Sequence, residues 1–473
     1  MRRDTEASLP ADLLRRFRDL LGETAVLAGE DIPARNLRDA SELPGRRPLV
    51  LLRPKDADGV AAAVRLCAVH GLPATVQGGL TGLSGGAIPT EGSVALSLER
   101  ISGIEALDAE AGTITVRAGT PLSVVQEAAN AAGLLYPVDL NARGSCTIGG
   151  TIATNAGGNR VIRYGMTRQS VLGLEVVLAD GRILSDLRDL PKNNAGFDLK
   201  QIFIGSEGQL GIVTRALLRL LPLPADGGGA ILGFSSFDAL HRCLASARAE
   251  LGDALSAFEV MWPDYWDAVT SGGLADRRSP LSGRHLVYAL IEARGRAGAA
   301  VPGLLQEWLE RMLEADLIED AALARSGADM AAFWALREAA AELHRVTGPL
   351  LGFDIGVSPP LIGAYVEASR VALAREVPHV RALFFGHAGD GNLHVMLAHR
   401  GGFDAELIHA CDAVLYRLVG EFRGTVTAEH GVGLLKRDWL SVTRSPVEIA
   451  AMRMLKTAFD PKGLLNPGKV LPD

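Results

Sequence analysis

Apolar positions in the first half of the chain recur in short blocks that alternate between strand and helix spacing. Leu49 to Leu52 forms an apolar strand. Ala57 to His70 is a helix with Val60, Val64 and Cys67 on one face, and Ala74 to Gln77 is a second strand. Together they predict a βαβ unit. Before it, residues up to about Leu43 read as a polar, helical lead-in whose apolar centre is LLRRFRDLL. After it, strands are expected at Val94 to Leu98 and Thr113 to Val116, then a helix with Thr120 as N-cap and Pro121 at its first position. A strand at Leu172 to Leu178 runs into an Asp180-Gly181 turn, the signal of a hairpin. Another, Ile212 to Leu221, stops at Pro222 and Pro224.

The run Ala225-Asp226-Gly227-Gly228-Gly229 marks the best domain boundary. Beyond it alanine, arginine and leucine dominate. Helices are expected around Ser235–Leu251, Ala299–Leu317 and Met330–Val346, with strands at His285–Glu292 and Leu383–Phe385. That alternation predicts an α+β second domain with an antiparallel sheet. The tail from Pro446 reads as a helix followed by DPKGLLNPGKV.

Length and composition narrow the classes. A chain of 473 residues exceeds the size of one hydrophobic core. A formal charge of -7 argues against nucleic acid or an anionic membrane surface as partner. Cys67, Cys146, Cys243 and Cys411 are widely spaced, as reduced thiols are. The first residues lack the apolar stretch of a secretory signal, and no apolar run reaches membrane-span length. A cytoplasmic protein, at most peripheral at an inner membrane, is the expectation.

Glycine carries the strongest signal. Three loops concentrate it: GGLTGLSGG at Gly78 to Gly86, SCTIGGTIATNAGGNRVIRYG at Ser145 to Gly165, and IGSEGQLG at Ile204 to Gly211. Each follows a strand or opens a helix, where backbone N–H groups converge on an anion. None has the spacing of a dinucleotide fingerprint or a P-loop. A large phosphate-bearing ligand cradled by several loops fits better than a nicotinamide site.

A second constellation lies in FFGHAGDGNLHVML and TAEHGVGLLK. On a straight strand His387 and His394 would face opposite ways. A bend at Gly389 or Gly391 could turn both to one site. With Glu429 they make a three-ligand set suited to Zn²⁺ or a similar ion. The remaining histidines (His70, His241, His285, His344, His379, His399 and His409) read as hydrogen-bonded in polar loops.

The strings QGGLTGLSGGAIP, CTIGGTIATNAGGNRVIRYG, FIGSEGQLGIVT and FDPKGLLNPGK resemble the FAD-linked oxidases of the vanillyl-alcohol-oxidase superfamily. Within it they are most similar to the D-lactate, glycolate and D-2-hydroxyglutarate dehydrogenase branch. The resemblance runs over most of the chain in order. It implies an α+β fold with a two-subdomain FAD-binding domain and an α+β cap domain. The expected division is a lead-in at 1–45, the FAD domain at 46–225, the substrate domain at 226–425 and a closing segment at 426–473.

By the same resemblance Gly78, Gly79, Thr81, Gly82, Gly85 and Gly86 wrap the pyrophosphate of FAD. Pro137, Thr147, Gly149, Gly150, Asn155, Gly157, Gly158, Gly165, Glu207, Gly208 and Ile212 line the rest, and Asn466 closes it. His387, His394 and Glu429 are the implied ligands of a divalent metal, with Zn²⁺ the first choice. His387, Asn392 and His394 would meet substrate, Arg337 would anchor its carboxylate, and His430 would be the general base. The substrate is a small D-2-hydroxy acid. Electrons would pass to an electron-transfer flavoprotein, a quinone or a cytochrome, and a homodimer is one assembly left open.

Three departures matter. Gln77 and Leu80 stand where relatives often carry arginine and asparagine, and no histidine lies in that loop, so FAD should be noncovalent. In GPLLGFDIGVSP no lysine precedes Asp354, which weakens a dicarboxylate substrate unless Arg163 or Lys436 serves it. An oxidase using O₂, a metal-dependent hydrolase built on His387, His394 and Glu429, and a non-catalytic flavoprotein are the competing readings.

Overall fold

The computed structural model describes residues 9–41, 43–190, 192–271, 274 and 277–472, so the first eight residues of the lead-in lie outside it. Contacts divide the chain into two units. The first comprises Met1–Gly158, Met166–Leu223 and Glu429–Asp473; the second comprises Asn159–Gly165 and Pro224–Ala428.

In the first unit a four-stranded sheet runs Val26–Leu27, Val50–Leu52, Val94–Ser97, Ala74–Gln77. The last three strands are parallel, as a βαβ crossover through the helix Ala57–His70 requires. Asp56 caps that helix by accepting from Gly59 N. The lead-in is not only helical. After Ala11–Leu21, which buries Leu13 and Phe17, Val26–Leu27 joins the sheet against Val50–Leu52. A second, five-stranded antiparallel sheet runs Ile104–Asp108, Thr113–Arg117, Ile212–Arg219, Val171–Val177, Ile183–Asp186. Its last pair is the hairpin expected at Asp180-Gly181. Thr120 does not cap a helix; its hydroxyl bonds Gly103 and the Arg117 carbonyl, and the helix starts one residue later than expected, at Leu122.

The second unit is built on a seven-stranded antiparallel sheet. Its order is Asp320–Leu323, Asp226–Phe234, Val287–Gly295, Leu255–Met261, Arg381–His387, Asn392–Ala398, Leu350–Gly356. The glycines of the expected domain boundary, Gly227 to Gly229, lie inside the strand Asp226–Phe234, just after the second unit resumes at Pro224. Strand glycine has a packing cause there, because a Cβ on Gly229 would press on the Met330 thioether and the Ile291 carbonyl. One sheet face, with Met261, Tyr288, Leu290, Leu383 and Phe385, packs on the helices Pro263–Thr270 and Gly327–Arg337. The other presents Phe384 to Arg370 and Phe353 to Tyr416.

The inserted segment 159–165 is wired into this unit. Arg160 grips Glu292 through Nε and Nη2 at 2.7 and 3.2 Å, and Asn159 reaches Glu338 at 2.8 Å. Arg163 donates to Ser256 Oγ at 2.9 Å and to the Arg294 carbonyl at 2.6 Å. It is committed to the fold and is no natural partner for a second substrate carboxylate. All four cysteines are buried and free.

Candidate functional site

The three glycine loops belong to the first unit, except that Asn159–Gly165 of the second loop is the inserted segment, where Gly165 ends the short helix Val161–Tyr164. Thr147 caps the helix Ile148–Thr154 by accepting from Gly150 N, and Asn155 ends it in the left-handed region at φ 49°. From that end the third loop hangs: Gly205 N donates to Ile152 O, and Glu207 N to Ala153 O at 2.8 Å. Pro137, Gly157 and Ile212 sit in the same unit.

Several polar residues expected at the cofactor build its cradle with their side chains. Asn155 accepts from Arg168 N at 2.9 Å. Asn466 accepts from Val76 N at 2.9 Å and donates to Glu207 O at 2.6 Å, tying the C-terminal segment to the strand Ala74–Gln77 and the third loop. The Glu207 carboxylate receives Val432 N at 2.7 Å and Gly433 N at 2.9 Å. Ser84 adds a donor to Gly431 O at 2.9 Å. The turn that carries His430 is therefore held by the first and third glycine loops together. Gln77 exchanges two hydrogen bonds with Asn36, which anchors the first loop to the lead-in.

The glycines separate into two kinds. A Cβ on Gly79 would run into the Ser145 carbonyl, and one on Gly78 would come 2.7 Å from Thr147 Oγ1, so close loop packing explains both. At Gly82 and Gly86 the nearest atoms would be Asp39 Oδ2 at 3.7 Å and Glu207 Oε2 at 3.6 Å, with φ in the ordinary range. Neither packing nor backbone strain demands glycine at those two positions. A ligand that approaches the backbone does, and this is the observation by which the loops fit FAD. Gly79→Ala is expected to cost about 2–4 kcal/mol of stability and to lose flavin with the fold. Gly82→Ala should fold as the parent does and bind FAD weakly. Thermal melts alongside flavin content after gel filtration check both.

Beneath these loops Lys469 is 2% exposed and donates to Gly86 O at 2.8 Å. Burial pulls its pKa down to about 7, against the attraction of Asp39 and Glu207. Between that value and the ordinary lysine value near ~10.4 the unfolded chain holds a proton the folded chain lacks. Stability should therefore rise with pH from about 7 upward, and Lys469→Met should flatten that rise in melts taken across the window.

In the second unit, register brings the other constellation together. Glu259, His387, Asn392 and Gly356 form one row across the sheet, and Met261, Phe385, His394 and Asp354 the next. Cross-strand partners share a face. The hairpin turn at 388–391, with Gly391 at φ 89°, thus puts His387 and His394 on the same side, their rings 5.4 Å apart and edge to face. Asp354 is fully buried. It accepts from Asn392 Nδ2 at 2.7 Å, Thr427 Oγ1 at 2.8 Å and Ala428 N at 3.1 Å. Glu429 and His430 follow Ala428 directly in the chain and open the last segment of the first unit. Asn392 Oδ1 is buried with no hydrogen-bond partner among the described residues.

Arg337 ends the helix Gly327–Arg337 and is 5% exposed. Tyr265 donates to its carbonyl at 2.8 Å, and the guanidinium lies 4.9 Å over the Phe385 ring. Its Nε sits 2.7 Å from Glu259 Oε2, its Nη2 3.4 Å from His387 Nε2, and His387 Nδ1 is 2.8 Å from Glu259 Oε1. Burial would raise the Glu259 carboxyl, but the Arg337 charge beside it and the hydrogen bond from His387 leave it below its ordinary value. Two residues on this face were not anticipated. Asp354 was noted only for its neighbour, and Glu259 not at all, although a lone carboxylate in the apolar run Leu255–Met261 is itself a signal of a buried partner.

The neighbouring position on the outer strand is Gly352, paired with Met396, which pairs in turn with Leu383. That part of the face carries no cation. His285 and His399 are held in loops by Glu319 and Gly402 O, whereas His70, His241, His344 and His409 lie in helices instead of the loops expected for them. Among the described residues no helix is long and apolar enough to cross a membrane.

A family model for the C-terminal domain of FAD linked oxidases matches residues 223–470, and one for an FAD binding domain matches residues 48–186. A D-2-hydroxyglutarate dehydrogenase from Xanthomonas citri pv. viticola is 39% identical, over 89% of each chain. The mitochondrial enzyme of that name from Bos taurus is 38% identical, over 89% of this chain and 77% of its own. A mitochondrial protein of Schizosaccharomyces pombe, provisionally named a D-lactate dehydrogenase, is 34% identical over 93% of this chain and 84% of its own. Among solved structures, 4-ethylphenol oxidase from Gulosibacter chungangensis superposes with a TM-score of 0.77 at 19% identity, covering 98% of this chain and 97% of that one. p-Cresol methylhydroxylase does so at 0.75 and 18%, covering 98% and 96%. Those two likenesses speak to the fold.

Proposed function

The chain belongs to the FAD-linked oxidase family, and from that premise we propose that it oxidises a D-2-hydroxy acid to the 2-oxo acid, with noncovalent FAD as acceptor. The observation that carries this reading is His387, Asn392 and His394 on one sheet face, with Arg337 buried at the end of the helix Gly327–Arg337 against His387, and an orphaned acceptor at Asn392 Oδ1. Arg337 presents the planar fork that holds a carboxylate in two places. Asn392 Oδ1 accepts from the substrate. His430, on a turn fixed by Ser84 and Glu207, takes the hydroxyl proton. FAD supplies the two-electron acceptor for the hydride leaving C2, so the substrate loses one hydride and one proton in all. His387, His394 and Glu429 would hold a divalent ion, which would lower the pKa of the substrate hydroxyl. The electrons then pass to an external acceptor of the flavoprotein, quinone or cytochrome kind.

D-2-Hydroxyglutarate is the first-choice substrate, because the relatives at 37–39% identity bear that name. This outweighs the reading drawn from the missing lysine. A monocarboxylate such as D-lactate is the second reading, favoured by the absence of a lysine before Asp354 in GPLLGFDIGVSP. Single-turnover flavin reduction by the two acids, after dialysis against chelator and after return of Zn²⁺, tests substrate and metal together. A dehydrogenase yields little peroxide in air; stoichiometric peroxide would indicate the oxidase.

A further inference from the structure

Glu259 is 1% exposed and touches both residues on which the proposed chemistry most depends. Its Oε1 lies 2.8 Å from His387 Nδ1 and its Oε2 2.7 Å from Arg337 Nε. A carboxylate only accepts, so the proton on His387 belongs to Nδ1. The opposite side of the ring gives the same answer independently. Arg337 only donates, and its Nη2 approaches His387 Nε2 at 3.4 Å, so Nε2 carries the lone pair. One tautomer satisfies both contacts, and it is the one that coordinates a cation through Nε2. The Arg337 contact to Glu259 uses Nε and the one to His387 uses a single proton of Nη2, which leaves Nη1 and the second Nη2 proton for a substrate carboxylate.

We propose that Glu259 is a positioning residue that locks His387 in its Nδ1–H tautomer and pins the Arg337 fork at Nε, so that one buried carboxylate aligns the metal ligand and the substrate anchor. The inference rests on the reading of His387 as ligand and Arg337 as anchor. Because register pairs Glu259 directly with His387, the alignment is fixed by the sheet itself, between the strands Leu255–Met261 and Arg381–His387.

Glu259→Gln and Glu259→Asp, both as flavin-loaded protein, test it. Imidazole ¹⁵N spectra report the His387 tautomer, and calorimetric titration with Zn²⁺ reports the metal site. In Glu259→Gln an amide replaces half of the carboxylate, so mixed tautomers are expected, with Zn²⁺ affinity reduced about 10–100-fold. Its KM for the hydroxy acid should rise more than its kcat falls, because the fork is misplaced. Glu259→Asp keeps the charge and should retain the parental tautomer with a smaller loss of affinity. Should the glutamine protein fail to fold, the aspartate protein and the double variant Glu259→Gln/Arg337→Met, which removes the paired charges together, carry the same spectra. A parental tautomer and parental Zn²⁺ affinity in Glu259→Gln would overturn the proposal, as would equal losses in Gln and Asp. If the parent protein takes up no Zn²⁺, it is the metal reading that fails, and the tautomer spectrum still decides the role of Glu259.

Discussion

Replacing Arg337 with methionine is expected to lower kcat/KM for the hydroxy acid about 10³-fold, mostly through KM, while the protein keeps its flavin. The size follows from what is lost: a charged, two-point hold on a carboxylate in a buried site, worth about 3–5 kcal/mol, at a factor of ten per ~1.4 kcal/mol. KM carries the loss because the carboxylate is bound alike before and during hydride transfer. Stability should fall as well. Glu259 would be left buried with His387 alone, and stranding one member of a buried pair costs roughly 3–5 kcal/mol. Arg337→Lys should recover the fold better than the rate, since a point charge cannot reproduce a fork pinned at Nε. Steady-state kinetics, flavin content and melting curves on the two variants distinguish these effects.

His430→Asn should leave substrate binding close to that of the parent and slow flavin reduction about 10²–10⁴-fold, the usual contribution of a positioned general base. The parent rate should climb with pH until the base is neutral, and the variant should lose that climb. Stopped-flow reduction across pH, with saturating substrate, is the measurement. Retention of both rate and pH limb would assign the proton to another group. The turn that carries His430 is held through backbone atoms, by Glu207 at Val432 N and Gly433 N and by Ser84 at the Gly431 carbonyl.

What could be read in advance followed the range of each signal. Strand and helix spacing placed the βαβ unit, and a Gly-containing turn placed the hairpin, because both are local. Glycine spacing located the loops but could not say why each glycine is there. Gly79 is excluded from substitution by the Ser145 carbonyl, a residue far along the chain, whereas Gly82 and Gly86 have room. Leu80 makes the complementary point. It adopts φ 60°, a left-handed conformation that asparagine enters at lower cost than leucine.

Side-chain roles set by long-range pairing were beyond the sequence. Asn155, Glu207 and Asn466 are expected at the cofactor, and their side chains bond backbone groups of the loops there, which loop spacing alone does not show. The strand that carries Glu259 was missed because every residue from Leu255 to Met261 is buried, and such a strand shows no alternation. Likewise His387 and His394 share a face only because the hairpin register pairs His387 with Asn392 and Phe385 with His394. No count along a single strand yields that.

The central claim joins a flavin to a D-2-hydroxy acid through these residues. It is tested most directly by mixing the purified yellow protein, without oxygen, with D- and L-2-hydroxyglutarate and D- and L-lactate, and following the flavin absorbance. The account predicts rapid bleaching by a D acid, little by its L counterpart, and loss of the rapid phase in Arg337→Met and His430→Asn. A protein that purifies with flavin yet is bleached by none of the four, or equally by both enantiomers, would contradict it.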